Sequence, residues 1–357
     1  MMKKKNICVV AGARPNFVKV APLMRAMANV EGIASMLVYT GCECDPALES
    51  SLFDDLQISR PDVFLGVDSQ KLNEITSRVM SEFDAYLDGH PTDVVVVVDD
   101  LASTMAAAIT AKKRGIRLAH LVAGTRSFDI SMPKEINRLV IDALSDYLFT
   151  AGLKSNSVAT RELGETSQTY MVGNILMDNL RFLRQRLRKP SILAESDGYL
   201  VFTLNRKALI DDEANLKKML DTMIHASANV PIIAPLRGLA RQKLLQLHIA
   251  ANNFHIIDPL PYLEFGWLTL HARGIITDSG NVAEEATFNA VPCITLNSYT
   301  EHLETVSVGS NVLVGEDAER LGIELEKLLK GEWKRCDLPE RWDGRTADRI
   351  VQILLQS

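Results

Sequence analysis

Short apolar runs alternate with amphipathic stretches along the first half of the chain. "NICVVAG" predicts a strand, and "FVKVAPLMRAMA" behind it carries apolar residues at helical spacing. "SMLVYTG" predicts a second strand and "DVVVVVD" (93–99) a third. That valine run is apolar on both faces, which suits the middle of a parallel sheet covered by helices. "RLAHLVAG" and "YLFTAG" add two strands, with "STMAAAITAKKRG" and "PKEINRLVIDALS" as helices between them. In the second of these helices Ile136, Leu139, Val140, Ala143 and Leu144 recur at i, i+3, i+4, i+7 and i+8 and predict the buried stripe. Glu135 lies off that stripe, in the first turn.

The polar segment "RLRKPSILAESDG" (186–198) breaks the rhythm and reads as a linker. A second set follows, with "YLVFTL", "VPIIAPL", "FHIIDP", "GIITDSG", "VPCITL" and "NVLVG" as strands. "WDGRTADRIVQILLQ" predicts a final amphipathic helix. The pattern is α/β, doubly wound, and occurs twice. Ligands in such sheets sit at the carboxyl ends of strands, so a cleft between two facing domains is the expected site.

Composition fits two domains. The chain has 357 residues, 47% of them apolar and 24% charged, enough for two cores. A net charge of −6 without a dense Lys/Arg run argues against a nucleic-acid partner. No apolar run approaches the roughly 20 residues of a membrane helix. "MMKKKN" could open an export signal, but "ICVVAGARPN" is interrupted at Gly12 and Arg14 and reads as a strand. The cysteines (Cys8, Cys42, Cys44, Cys293, Cys336) are odd in number and scattered, which predicts reduced thiols and a cytoplasmic protein. Cys42 and Cys44 lack a second ligand pair, so no metal site is expected.

Several segments carry candidate chemistry. "AGARPN" (11–16) turns from strand to helix: Gly12 allows close backbone approach, Arg14 offers a planar fork, and helix-start amides attract anions. A tight turn with a solvated arginine is the competing reading. "TDSGNVAEEA" (277–286) follows a strand; Glu284 and Glu285 could accept from ribose hydroxyls, or simply complement a helix capped by Asp278 or Ser279. Glu135 is a functional carboxylate or half of an ion pair with Arg138. Asp99 and Asp100 end the valine strand, where one could merely cap the next helix. Glu301, His302 and Glu304 lie together in a loop, where a solvated histidine is the commoner arrangement.

Nearly end to end, these segments resemble the non-hydrolysing UDP-N-acetylglucosamine 2-epimerase family, in its capsule and O-antigen branch. The resemblance is carried by Gly12-Ala13-Arg14-Pro15 with Lys19, Asp100 with Ser103 and Thr104, Gly124 with Arg126, and Glu135 with Arg138. In the second half it is carried by Asp278-Ser279-Gly280, Glu284-Glu285, Glu301, Glu304 and Trp342-Asp343-Gly344. It implies two Rossmann-like domains, 1–186 and 187–338, arranged as in B-type glycosyltransferases, with 339–357 crossing back onto the first. It also implies a homodimer, no metal or redox cofactor, and UDP or a UDP-N-acetylhexosamine as ligand. Arg14, Lys19, Arg126, Arg138, Arg241, Ser279, Gly280, Glu285 and Glu301 would bind it. The family inverts C2 by eliminating UDP as the C2 proton leaves, then adding it back.

The chain departs from the pattern where the proton moves. Val122 stands where the family's H-x-E-A-G loop has glutamate, and Asn205 where its T-x-H-R segment has histidine. Asp99 replaces the glycine before the family's aspartate, and of the H-P-R-T-R segment only Arg241 stays in place. Asp100 and Glu135 remain as catalytic candidates. Acid/base groups contribute about 10²–10⁴-fold each. The expectation is therefore a UDP-sugar-binding homologue with lost or strongly reduced epimerase activity. An active divergent epimerase or UDP-sugar hydrolase using Asp100 and Glu135 is the alternative, and a scaffold retaining only a dimer surface a third.

Overall fold

A computed structural model describes residues 4–193, 198–227, 230–249 and 251–356. The chain divides into two compact units, Met1–Phe182 with Glu340–Ser357, and Leu183–Pro339. The 186–198 segment read as a linker lies partly outside the described residues.

The first unit is a parallel sheet of β1 (Lys5–Ala11), β2 (Ile33–Tyr39), β3 (Val63–Phe64), β4 (Val94–Val98), β5 (Arg117–Ala123), β6 (Tyr147–Thr150) and β7 (Gln168–Met171). Its order is β3-β2-β1-β4-β5-β6-β7. The valine run is central β4, with each valine at most 1% exposed between covering helices. The order reverses between β1 and β4, so the loops leaving those strands frame the crevice where α/β sheets take ligands. Strands β3 and β7 were not predicted. Both are short edge strands, and "QTYM" has little apolar pattern to find.

The second unit has β8 (Leu200–Phe202), β9 (Ile232–Pro235), β10 (Phe254–Ile257), β11 (Gly274–Thr277), β12 (Cys293–Thr295) and β13 (Asn311–Leu313), all parallel. Their order is β10-β9-β8-β11-β12-β13, and its reversal lies between β8 and β11. The predicted strands of this half are all present.

The tail from Glu340 clusters with the first unit. Trp342 is 2% exposed, and its Nε1 donates to the Ala151 carbonyl at 3.0 Å. Asp178 accepts the Thr346 and Ala347 amides at 3.1 and 2.8 Å, satisfying the first donors of helix Thr346–Gln356. Lys5 Nζ donates to the Leu354 carbonyl near the other end of that helix.

Two expectations are corrected. Helix Pro133–Leu144 is turned over: Ile136 and Leu139 are 46% and 37% exposed, while Glu135, Asn137, Arg138, Ile141 and Asp142 are buried. Partners on the loops after β4 and β5 satisfy that polar face, which removes the usual penalty for burying it. The thiols are not all reduced either. Cys42 and Cys44 form a disulfide across a 5.2 Å Cα separation, while Cys8, Cys293 and Cys336 are free.

Candidate functional site

In the first unit the loops after β1, β4 and β5 meet helix Pro133–Leu144 in a dense charged network. At the β1 turn, Asn16 Oδ1 accepts the Gly12 and Ala13 amides at 2.9 and 3.1 Å. The two amides of the turn just before the helix are therefore satisfied internally. Gly12 is explained by packing as well: a Cβ there would meet Ser103 Oγ at 2.1 Å. Asn16 Nδ2 donates to Asp99 Oδ2 at 2.8 Å, and Lys19 Nζ lies 2.5 Å from Asp99 Oδ1.

Asp100 receives Arg138 Nε at 2.8 Å and Nη2 at 2.5 Å, with Lys134 Nζ at 3.6 Å. Neither aspartate caps the following helix; Leu101 holds that position, its amide donating to Thr104 Oγ1 at 3.1 Å. Glu135 accepts the Ser127 amide and hydroxyl at 2.8 and 2.9 Å, the Phe128 amide at 3.1 Å and Arg138 Nη1 at 3.2 Å. Burial pushes its pKa up, but these donors outweigh burial and hold it below the usual carboxylate range. A carboxylate so held is a poor proton acceptor. The i,i+3 ion pair with Arg138 is present.

Behind these groups lies a buried chain. His120 Nδ1 faces Asp142 Oδ1 at 2.6 Å and its Nε2 faces the Asp99 carbonyl at 2.9 Å. Asp142 also takes Arg126 Nη1 at 2.6 Å and the Gly124 amide at 3.1 Å. Burial raises Asp142, yet the His120 and Arg126 charges prevail and lower it. Arg126, expected to bind ligand, is 8% exposed and donates to Asp142, Glu162 and the Thr125 carbonyl. Asp142 and Glu162 were not anticipated. A signal existed for Asp142: Glu135, Arg138 and Asp142 stand at i, i+3 and i+7, a charged stripe at helical period.

Val122 sits where the β5–β6 register shifts between Leu121 and Ala123, and its φ is +74°. A bulge re-aims a side chain, and a left-handed backbone is strained for a β-branched residue. Here the re-aimed side chain carries no titratable group.

In the second unit, Asp278 Oδ2 accepts the Asn205 and Arg206 amides across the β8–β11 crevice, the former at 2.7 Å. Among the described residues, Asp278 Oδ1 is buried without a hydrogen-bond partner. Ser279 occupies the N-cap position of helix Gly280–Phe288, but neither it nor Asp278 caps that helix through its side chain. Glu284 Oε1 pairs with His302 Nδ1 at 3.0 Å, so that histidine is not simply solvated. Burial, then the neighbouring Glu284, push Glu285 up to about 7. Arg241 pairs with Asp258 at 3.0 Å and donates to the Ile257 carbonyl at 3.0 Å. Arg14 and Glu301 are half-buried, and Asn205 is exposed. Among the described residues no group of three or more His, Cys, Asp or Glu is placed to hold a metal. No helix among them is long and apolar enough to cross a membrane.

Two parallel α/β sheets, each with polar and charged groups at its topological reversal, define a doubly wound scaffold of the kind that takes ligands at the carboxyl ends of its strands. The UDP-N-acetylglucosamine 2-epimerase family model matches residues 25–355, and the chain belongs to that family, of the non-hydrolysing type. It is 31% identical over 360 residues to the UDP-2,3-diacetamido-2,3-dideoxy-D-glucuronate 2-epimerase of Pseudomonas aeruginosa, covering 98% of this chain and 99% of that one. It is 32% identical over 365 residues to the UDP-N-acetylglucosamine 2-epimerase of Methanocaldococcus jannaschii, covering 98% of each. A crystal structure of the latter enzyme, in complex with UDP-GlcNAc and UDP, is similar with a TM-score of 0.85 at 31% identity, covering 99% of this chain and 100% of that chain.

Proposed function

We propose that this chain binds a UDP-N-acetylhexosamine and has lost, or retains only strongly reduced, C2 epimerase activity. The observation that carries the reading is Val122 on its strained bulge: the backbone that aims a side chain is present, and the group that would move a proton is not. The remaining carboxylates do not make up the loss. Asp99 is paired with Lys19, Asp100 with Arg138, and Glu135 is held by four donors. A divergent epimerase or hydrolase would need Asp100 or Glu135 as its base, and that engagement speaks against both. In the second unit, Ser279, Gly280 and Glu285 are the groups for the uridine diphosphate.

The same reading makes the chain a homodimer. The outward apolar face of helix Pro133–Leu144, with Phe128 and Ile130 at 66% and 72% exposure just before it, offers a surface for a second copy. Replacing Ile136 and Leu139 by lysine should then yield monomers in light scattering, and an unchanged dimer would remove this face from the account.

Calorimetric titration with UDP, then UDP-N-acetylglucosamine, followed by proton NMR in D₂O, tests the function. Binding without deuterium at C2 is the expected result. Deuterium at C2 would show that proton transfer survives, and no heat with either ligand would end the binding reading.

A further inference from the structure

We infer that Cys42 and Cys44 form a reversible thiol–disulfide exchange site, opened by a dithiol that attacks at the exposed Cys44. The inference is independent of what the chain binds.

The pair sits on the loop that leaves β2, joined two residues apart. Cys42 is half-buried and Cys44 exposed, so a reductant reaches Cys44 first. A bond between residues this close removes little chain entropy from the unfolded state, because that gain grows with the length of loop closed. Nor does the loop depend on it for shape. The Gly41 carbonyl accepts the Gly66 amide at 3.0 Å, and the Cys42 carbonyl accepts the Asp45 amide at 3.2 Å. Asp45 takes Tyr39 Oη at 2.5 Å and the Ala47 amide at 2.8 Å. None of these contacts uses a sulfur. Leu48, 5% exposed, anchors the far end. Opening the bond therefore frees the loop tip without unfolding the sheet behind it.

The other cysteines do not compete. Cys8 and Cys293 are buried, and burial pushes both thiols up to about 12, where almost no thiolate forms at neutral pH. Cys336 is exposed but single. In the exchange, one thiolate of the reductant attacks Cys44 Sγ, the Cys42–Cys44 bond breaks, and Cys42 leaves as a thiolate. The Cys44 amide, 3.2 Å from Cys42 Sγ, directs a donor at that leaving sulfur. The reductant's second thiolate then attacks its own sulfur in the mixed disulfide and releases Cys44. The two cysteine thiolates take up the two protons the reductant gave, the protein disulfide has gained two electrons, and the dithiol ends as a cyclic disulfide. Exposed Glu43, between the cysteines, disfavours an anionic thiol, so an uncharged dithiol is the suited reductant.

Folded wild type is treated with dithiothreitol, or with 2-hydroxyethyl disulfide as an uncharged oxidant, then quenched with N-ethylmaleimide and mapped by peptide mass spectrometry. The rapidly alkylated thiols should extend from Cys336 alone to Cys336 with Cys42 and Cys44 on reduction, and return to Cys336 alone when the oxidant replaces the dithiol. Reduction should leave the urea midpoint unchanged, while amide exchange at Cys44 and Asp45 quickens about tenfold. Cys336→Ser should keep the change at Cys42 and Cys44. Cys44→Ser leaves Cys42 without its resolving partner, and should stop at a hydroxyethyl mixed disulfide instead of closing. Alkylation of Cys42 and Cys44 under both conditions would mean that the pair never closes, and overturns the inference. Protection from dithiothreitol until urea unfolds the chain, or a urea midpoint that falls on reduction, makes the bond a structural staple and overturns it as well.

Discussion

The loop edges of the two units solve the burial of carboxylates in opposite ways. In the first, the carboxylates after β4 and on helix Pro133–Leu144 each have a cation: Asp99 has Lys19, Asp100 and Glu135 share Arg138, and Asp142 sits beside Arg126. In the second, Glu285 is pushed up to about 7 beside Glu284, and Asp278 keeps a buried oxygen without a hydrogen-bond partner among the described residues. A self-satisfied network has little left with which to move a proton. Glu284 has His302, but buried Glu285 and the Asp278 oxygen still have something to gain from a hydroxyl-rich ligand. The contrast is what the proposed function expects, with binding kept in one unit and acid/base chemistry lost in the other.

The sharpest way to break the comparison is to remove a centre of the first network. Asp142→Ala leaves Arg126 and His120 buried without their shared carboxylate, and should cost about 3–5 kcal/mol in urea unfolding. A loss under 1 kcal/mol would mean that water or rearrangement replaces it. Asp142 and Glu135 are both lowered on folding, so their contribution is present above the ordinary carboxylate range and lost as pH falls.

Glu285 has the opposite sign. Its folded value is raised from 4.5 to about 7, so its contribution is complete below 4.5 and is lost as pH rises through about 7. Glu285→Gln should therefore stabilise the protein by about 2–3 kcal/mol at pH 8 and by nothing near pH 4.5, while weakening UDP binding. Thermal melts at the two pH values and a UDP titration check this. Equal stability of the two proteins at pH 8 would mean that Glu285 is ionised at no cost and that the contrast between the units is wrong.

A smaller effect is expected at Val122. Val122→Gly relieves a left-handed β-branched residue and should raise stability by about 1 kcal/mol. A fall in the urea midpoint would show that the valine side chain packs better than its backbone suffers.

Much of this was legible from the residues. Runs such as "DVVVVVD" and "GIITDSG" carry both sheets, because buried parallel strands need apolar residues on two faces. Edge strands Val63–Phe64 and Gln168–Met171 do not, and stayed hidden. The facing of helix Pro133–Leu144 was misread for a more instructive reason. Apolar periodicity ranks its faces by hydrophobicity alone, whereas His120, Arg126 and Ser127, on and after β5, supply partners that make the polar face the buried one. The valine at 122 was visible as a residue type; its bulge and left-handed backbone needed coordinates.

The central claim is the proposal that epimerisation is lost and that the loss is local to the substituted positions. Deuterium incorporation at C2 of UDP-N-acetylglucosamine, followed by NMR for wild type, Val122→Glu, Asn205→His and the double variant, tests it most directly. The account predicts no incorporation for wild type and exchange appearing only, or by far most strongly, in the double variant. Incorporation by the wild-type protein at a rate the double variant does not exceed would contradict it.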